Sequence, residues 1–203
     1  MLIKLKDYER IYKVVNSIVK NEGADPAVCC IFFSAYGSYI LSQHFKLNAQ
    51  PKAGLAAYHV GNNDVVVFGE ETERGLTGGN DAFHCWVEAD GWILDFMAPA
   101  FSRLPNTRSS IPPKMFQKPL SAMASSPLEL ATPGGFYVEA SPASTAKHMS
   151  ILTQSMAYGD LAEICSAWFK KAPKKMIQEI GIADASGNQN MVSLTGRNLV
   201  GAW

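Results

Sequence analysis

The run from Ala27 to about His44 is apolar on nearly every face of a helix. A helix with no polar stripe cannot lie on a surface and must be enclosed on most sides. This segment therefore forms the centre of the molecule, and the rest of the chain has to supply the elements around it. Asp25-Pro26 reads as its N-cap followed by proline at the first helical position. Upstream, Leu5, Tyr8, Ile11, Tyr12, Val15 and Ile18 recur at three- and four-residue spacing, which predicts an amphipathic helix closed by Gly23. With 203 residues, 47% of them hydrophobic, the chain can build one domain around such a core.

After the central helix the period changes. Ala53 to Val60 and Val65 to Gly69 read as strands joined by Gly61-Asn62-Asn63, and residues 70–81 as a loop. Ala82 to Ala89 and Trp92 to Met97 read as a hairpin, with Asp90-Gly91 as a strong turn signal. Residues 99–133 carry prolines at 99, 105, 112, 113, 119, 127 and 133. Long regular elements are not expected there, but Met115, Phe116, Leu120, Met123, Leu128 and Leu130 can anchor a packed, irregular excursion over the sheet. Phe136 to Glu139 reads as a short strand. Ser141-Pro142 caps a helix to about Ala157. Asp160 and Glu163 have capping-box spacing ahead of the apolar face Leu161, Ile164, Cys165, Trp168 and Phe169. Pro173 restarts a shorter helix that ends near Gly181. The expected class is α+β: a core over residues 1–140, with residues 141–203 a helical extension packed on it rather than a separate domain.

The hairpin concentrates the chemistry. A two- or four-residue loop at Asp90-Gly91 sets Glu88 opposite Ile93 and Trp86 opposite Asp95. His84, Trp86 and Glu88 then share a face with Ile93, Asp95 and Met97. His84 and Asp95 become diagonal neighbours, close enough for imidazole and carboxylate to hydrogen-bond; a three-residue loop would separate them. A carboxylate on one ring nitrogen fixes the tautomer and leaves the other nitrogen to act as a base. Alternation turns Cys85 to the opposite face. Cys29 and Cys30 stand near the start of the central helix, where unpaired N–H groups and the helix dipole favour a thiolate and an oxyanion.

Other features set bounds. Eighteen basic residues balance eighteen acidic ones, so no charge footprint for nucleic acid or an anionic membrane exists. No apolar run reaches spanning length. The charged start, Met1 to Asp7, lacks the apolar centre of a secretory signal. Four cysteines do not make a disulfide scaffold, which points to a reduced, cytoplasmic setting. No paired-ligand spacing suggests a metal, no phosphate-loop spacing a nucleotide, and no G-x-S-x-G a serine hydrolase; no cofactor is expected. Cys85, Cys165, Trp86 and Trp92 read as packing, as does Cys29 unless it replaces Cys30. His44 suits a helix C-terminus as a cation; His59 and His148 read as structural. Lys170-Lys171 and Lys174-Lys175 are the only basic cluster that could serve a phosphorylated cofactor such as CoA.

Cys29-Cys30, His84-Cys85-Trp86-Val87-Glu88 and Trp92-Ile93-Leu94-Asp95-Phe96 resemble, in order and spacing, the transglutaminase-like branch of the papain-like thiol superfamily. Leu47-Asn48-Ala49-Gln50 through Gly54 is similar to that branch's passage from core helix to sheet. The resemblance covers about residues 26–100. Counting from Cys30 places the small residue Ser34 and the aliphatic pair Ile40-Leu41 where the branch has them; counting from Cys29 does not. The glycine usual after the core helix is replaced here by Phe45 or Lys46. The chain also resembles a small bacterial family of unknown function with this core. The resemblance implies a papain-like fold and acyl-thioester chemistry on an amide, ester or thioester, with Cys30 as nucleophile, His84 as base and Asp95 orienting it. The branch includes cross-linking acyltransferases, peptidases and amidases, is similar to arylamine acetyltransferases, and includes members that have lost catalysis. The expected partner is a peptide or small acyl substrate, with no nucleic acid and no membrane; the alternative is an inactive fold that binds a peptide or partner.

Overall fold

A computed structural model describes residues 1–62, 64–73, 75–79, 82–104, 107, 111–155, 157–183 and 186–203. Turn position Asn63, loop residues 80 and 81, Pro105 and residue 156 of the helix expected to reach Ala157 lie outside the described residues.

Helix α1 (Leu5–Asn21) buries Tyr8, Ile11, Val15 and Ile18 along one stripe, as its spacing requires. Gly23, at φ 75°, follows its end. The Asp25 carboxylate then accepts the Ala27 N–H at 3.0 Å, which tightens Pro26–Val28 into a 3-10 turn. Helix α2 (Cys30–Phe45) starts only after this turn, with Cys29 at φ −111°, ψ 36° as its cap. The helix expected from Ala27 is thus broken into two pieces, because the Asp25 cap is used up on the 3-10 turn. Cys30 becomes the first residue of α2. The helix ends at Lys46 in the left-handed conformation, φ 59°.

Strand β1 (Ala49–Gly61) is the spine of the sheet. It pairs with β2 (Asp64–Phe68) over its second half. A small separate hairpin, β3 (Glu70–Thr72) with β4 (Gly75–Thr77), occupies part of the segment expected to be loop. Strand β5 (His84–Ala89) pairs with the first half of β1 and with β6 (Trp92–Asp95). Strands β7 (Phe116–Pro119) and β8 (Phe136–Ala140) complete a six-stranded sheet of order β2-β1-β5-β6-β7, with β8 on β1. Every pairing is antiparallel. Because β1 changes partners along its length, the sheet curls.

The proline-rich stretch differs from the irregular excursion expected of it. It opens with a 3-10 segment, Ala98–Arg103, and then donates β7 as an edge strand. Pro119 is tolerated because it ends that strand at the margin of the sheet. Two short 3-10 turns, Leu120–Ala122 and Pro127–Glu129, follow.

Helix α3 (Pro142–Thr153) is capped by Ser141, whose hydroxyl accepts the Ser144 N–H at 3.2 Å. Helix α4 (Ala157–Trp168) begins before Asp160, so the expected capping box does not form, and Glu163 instead accepts the Tyr39 hydroxyl. Pro173 starts no helix. Residues beyond it form a hairpin, β9 (Glu179–Ala183) with β10 (Gln189–Ser193). The extension over 141–203 is therefore helical only to Trp168. The final segment returns along α1, where the Thr195 N–H donates to Ser17 Oγ at 2.7 Å. It ends with the Trp203 N–H on the Met115 carbonyl at 3.0 Å.

The chain is α+β. Helix α2 packs on β1 and β5 with α1 and α4 on its other sides, which accounts for its all-round apolar sequence. Gly37 permits the closest approach: a Cβ there would stand 2.4 Å from the Phe96 ring. No helix among the described residues is long and apolar enough to cross a membrane.

Candidate active site

The β5–β6 turn holds Asp90 at φ 46° and Gly91 at φ 78°. Two consecutive positive φ values are what a two-residue hairpin loop needs. The register is Val87↔Leu94, Glu88↔Ile93, Ala89↔Trp92. It carries His84 and Asp95 onto one face, and His84 Nε2 lies 2.6 Å from Asp95 Oδ2. The other carboxylate oxygen accepts the Met97 N–H at 2.9 Å. Asp95 is fixed from behind as well: the Tyr8 hydroxyl donates to its carbonyl oxygen and accepts the Phe116 N–H at 3.3 Å.

The imidazole is fully enclosed. Phe68 stacks on it with ring centroids 4.0 Å apart, and Tyr58 and Phe101 stand edge-on at 5.8 and 5.9 Å. Trp86, read as packing, is fully buried with its Nε1–H donated to Glu88 at 3.1 Å. Burial pushes the His84 pKa down, but the Asp95 carboxylate and the Cys30 sulfur more than offset this and hold it at about 10. With Nε2 taken by Asp95, Nδ1 is the nitrogen left for Cys30. Among the described residues Nδ1 has no hydrogen bond of ordinary geometry.

Cys30 stands on the first turn of α2, where backbone N–H groups have no carbonyl four residues back to bond. The neighbouring Cys85 thiol holds Cys30 well below the usual thiol range. Burial opposes this; His84 and the Cys85 N–H reinforce it. The Cys85 thiol is pushed up by the same contact and by its burial. Cys29 behaves oppositely to its neighbour: burial, Cys30 and Asp25 push it up to about 11. These opposed shifts favour a charged imidazole beside a charged Cys30 sulfur, and all four cysteines are free.

Cys85 is buried in the core, as a packing residue is, and it also bears on Cys30. Alternation does turn its side chain away from that of His84. The start of α2, however, packs on β5, and His84 and Cys85 both bear on the Cys30 sulfur. A hydrophobic pattern cannot show this, since it arises where a helix end meets a strand end. Phe68, Tyr58, Phe101 and Tyr8 were also missed. The first two depend on the register of β1 against its neighbours, and Tyr8 was read only as a core position of α1. The Tyr58 hydroxyl is buried near Asp95; burial and then that carboxylate hold it well above the ordinary tyrosine value.

The remaining candidates have structural partners. His44 docks α2 on α4, with Nε2 3.0 Å from the Ser166 carbonyl. Burial lowers its pKa, which disfavours the cation expected at the helix end. His59 Nδ1 accepts the Gly61 N–H at 3.2 Å, His148 stacks on Phe83 at 3.7 Å, and Cys165 is fully buried in the core. Lys170 Nζ donates to the Ala167 carbonyl at 2.8 Å, and Lys171 lies 4.3 Å over the Phe45 ring. That places Lys171 at the far end of the 16-residue α2, about 22 Å from Cys30 by helix rise. No group of three or more His, Cys, Asp or Glu side chains among the described residues could hold a metal ion.

The chain is similar, at 45% identity and a TM-score of 0.92, to the solved crystal structure of "genomics APC5867", over 100% of this chain and 98% of that one. No curated protein matches it. The chain belongs to the family described as "Protein of unknown function (DUF2026)", which matches residues 4–203.

Proposed function

We propose that the protein is a cysteine-dependent hydrolase or acyltransferase on a papain-like, transglutaminase-like core, acting on an amide, ester or thioester carbonyl. The observation that carries this is the convergence of Cys30, His84 and Asp95: a thiol on the first turn of a buried helix, an imidazole beside it, and a carboxylate 2.6 Å behind the imidazole. In this reading the Cys30 thiolate adds to the carbonyl carbon, and the oxyanion rests on N–H groups of the first turn of α2. His84 passes its Nδ1 proton to the leaving amine, alcohol or thiol, which leaves an acyl-thioester on Cys30. Water or a second acceptor gives a proton back to Nδ1 as it attacks, and the thiolate departs. Asp95 holds the ring in place. A reducing compartment such as the cytoplasm suits a free thiol.

A second reading, a non-catalytic module that binds a peptide or partner, is favoured by one observation. Phe68 and Phe101 roof the imidazole, His84 is 0% exposed and Cys30 only 8%. Iodoacetamide decides between the two. The catalytic reading expects one label, at Cys30, which is lost in His84→Ala while cooperative unfolding survives. Equally slow labelling of all four cysteines supports the binding module instead.

A further inference from the structure

We propose that Tyr8 of α1 is a positioning residue for the candidate triad, acting on His84 through Asp95. This deepens the reading above and rests on it for what the triad does. Asp95 is the last residue of β6. Its Oδ1 accepts the Met97 N–H at 2.9 Å, and its Oδ2 lies 2.6 Å from His84 Nε2. The backbone that carries this carboxylate is tied at its carbonyl oxygen, which accepts the Tyr8 hydroxyl. The Tyr8 oxygen in turn accepts the Phe116 N–H at 3.3 Å, from the β7 residue paired with Asp95. One phenol thus joins β6 and β7 at the pair that ends β6.

Tyr8 holds this place because the chain ahead of α1 is fixed to the same edge of the sheet. Gln117, buried and next to Phe116, accepts the Ile3 N–H at 2.8 Å and donates to the Ile3 carbonyl at 3.1 Å. The Tyr8 ring then packs on Phe96, the residue after Asp95, with ring centroids 4.8 Å apart. Tyr8, Asp95 and His84 are all fully buried. Removing the hydroxyl takes a partner from the Asp95 carbonyl and from the Phe116 N–H inside the protein, where a lost partner is costly. A shift of the Asp95 backbone turns its carboxylate away from the line to His84 Nε2, and a hydrogen bond weakens steeply with misalignment.

The titratable groups that face His84 are Asp95 from β6, Cys30 from α2 and Tyr58 from β1. Asp95 and Cys30 favour the charged imidazole against its burial. Tyr8 and Tyr58 stay protonated, each held well above the ordinary tyrosine value first by burial and then by Asp95. Phe68 and Phe101 bring no charge. A misaligned Asp95 therefore lowers the proton affinity of His84, and with it the support that the imidazole gives to a Cys30 thiolate.

The test is the His84 titration, followed through the NMR shifts of its ring nitrogens, in wild type, Tyr8→Phe and Tyr12→Phe. Tyr12 is a buried phenol of the same helix, but its oxygen accepts the Arg197 N–H at 3.4 Å rather than a group of β7. Both variants are expected to lose stability in urea. Only Tyr8→Phe is expected to move the His84 midpoint down, by less than Asp95→Asn does. In an Asp95→Asn background Tyr8→Phe should add no further shift, because it acts through that carboxylate. Tyr8→4-fluorophenylalanine, which keeps the size of the ring without the donor, gives the same reading if Tyr8→Phe does not fold. An unmoved midpoint overturns the proposal, as does an equal shift in Tyr12→Phe or an undiminished one in the Asp95→Asn background. Iodoacetamide labelling of wild type keeps the two claims apart. Uniform slow labelling removes the catalytic reading, and the His84 titration still decides Tyr8. Selective labelling of Cys30 with an unmoved His84 midpoint removes only the role of Tyr8.

Discussion

Cys29 and Cys30 differ by one position in the chain and by a great deal in chemistry. Cys29 caps the helix and is pushed up to about 11, whereas Cys30 is held below the usual thiol value of 9.0 by Cys85 and His84. Alkylation should follow this difference. The rate at Cys30 is expected to level off at a lower pH than the rate at Cys29, which climbs with pH up to about 11. Asp95→Asn removes the charge that raises His84, so burial drives the ring neutral. Cys30 labelling at pH 7 should then fall and regain a rise with pH; a profile unchanged from wild type would show that Asp95 does not support the thiolate. Lys46 gives a test unrelated to chemistry. A non-glycine residue at φ 59° carries about 1 kcal/mol of left-handed strain. Lys46→Gly should therefore raise stability by about that amount in urea denaturation. At this scale the sequence showed His84, Asp95 and the thiol at the helix start, since strand alternation and a helix terminus are local properties. It did not show Cys85, Phe68 or Tyr58 at the site, since those contacts are set by how separate elements meet.

The register of the β5–β6 hairpin was legible, though not the outer ends of its strands, because Asp90-Gly91 fixes the loop at two residues and the loop fixes the register. Helices α1 and α2 were legible from their apolar periodicity, apart from the 3-10 turn that resets the start of α2. Strand β7 was hidden by the prolines around it, although Met115 to Lys118 is free of them. Strands β9 and β10 were hidden differently. Ile180 and Ile182 do alternate with exposed neighbours, but Pro173 and the preceding helix suggested a helical continuation. The elements also make a packing prediction. At Gly37 an added methyl would meet the Phe96 ring, and overpacking costs about 1–3 kcal/mol. Gly37→Ala should lower stability by that much, and Phe96→Leu should return part of the loss. A double-mutant cycle measures this coupling; additive effects would mean that the ring moves aside without cost. Gly54, itself the β1 residue paired with His84, sets a harder limit: a Cβ there would lie 2.1 Å from the Glu139 backbone carbonyl.

The enclosure of the pair ties folding to proton binding across the whole molecule. His84 rises from 6.5 to about 10 on folding, while Cys30 falls below 9.0. A raised histidine gives stability that is complete below 6.5 and is lost as pH climbs toward 10. A lowered thiol gives stability that is complete above 9.0 and is lost as pH falls through its folded value. Above 6.5 and above the folded Cys30 value, up to 9.0, the unfolded pair holds one proton, on cysteine, and the folded pair also holds one, on histidine. Equal proton counts mean no slope from this pair. Below 6.5 the unfolded chain binds the extra proton and stability falls; above 9.0 the folded chain keeps the extra proton and stability falls again. In Cys30→Ser only the Asp95 carboxylate raises the histidine against its burial, and no thiolate compensates. The stability of this variant should therefore decline relative to wild type as pH rises from 6.5 to 9.0, by up to about 1.4 kcal/mol per pH unit. Urea midpoints of both proteins at a series of pH values measure the difference. Parallel curves would mean that Cys30 and His84 do not exchange a proton on folding, and the imidazolium–thiolate pair would have to be abandoned with them.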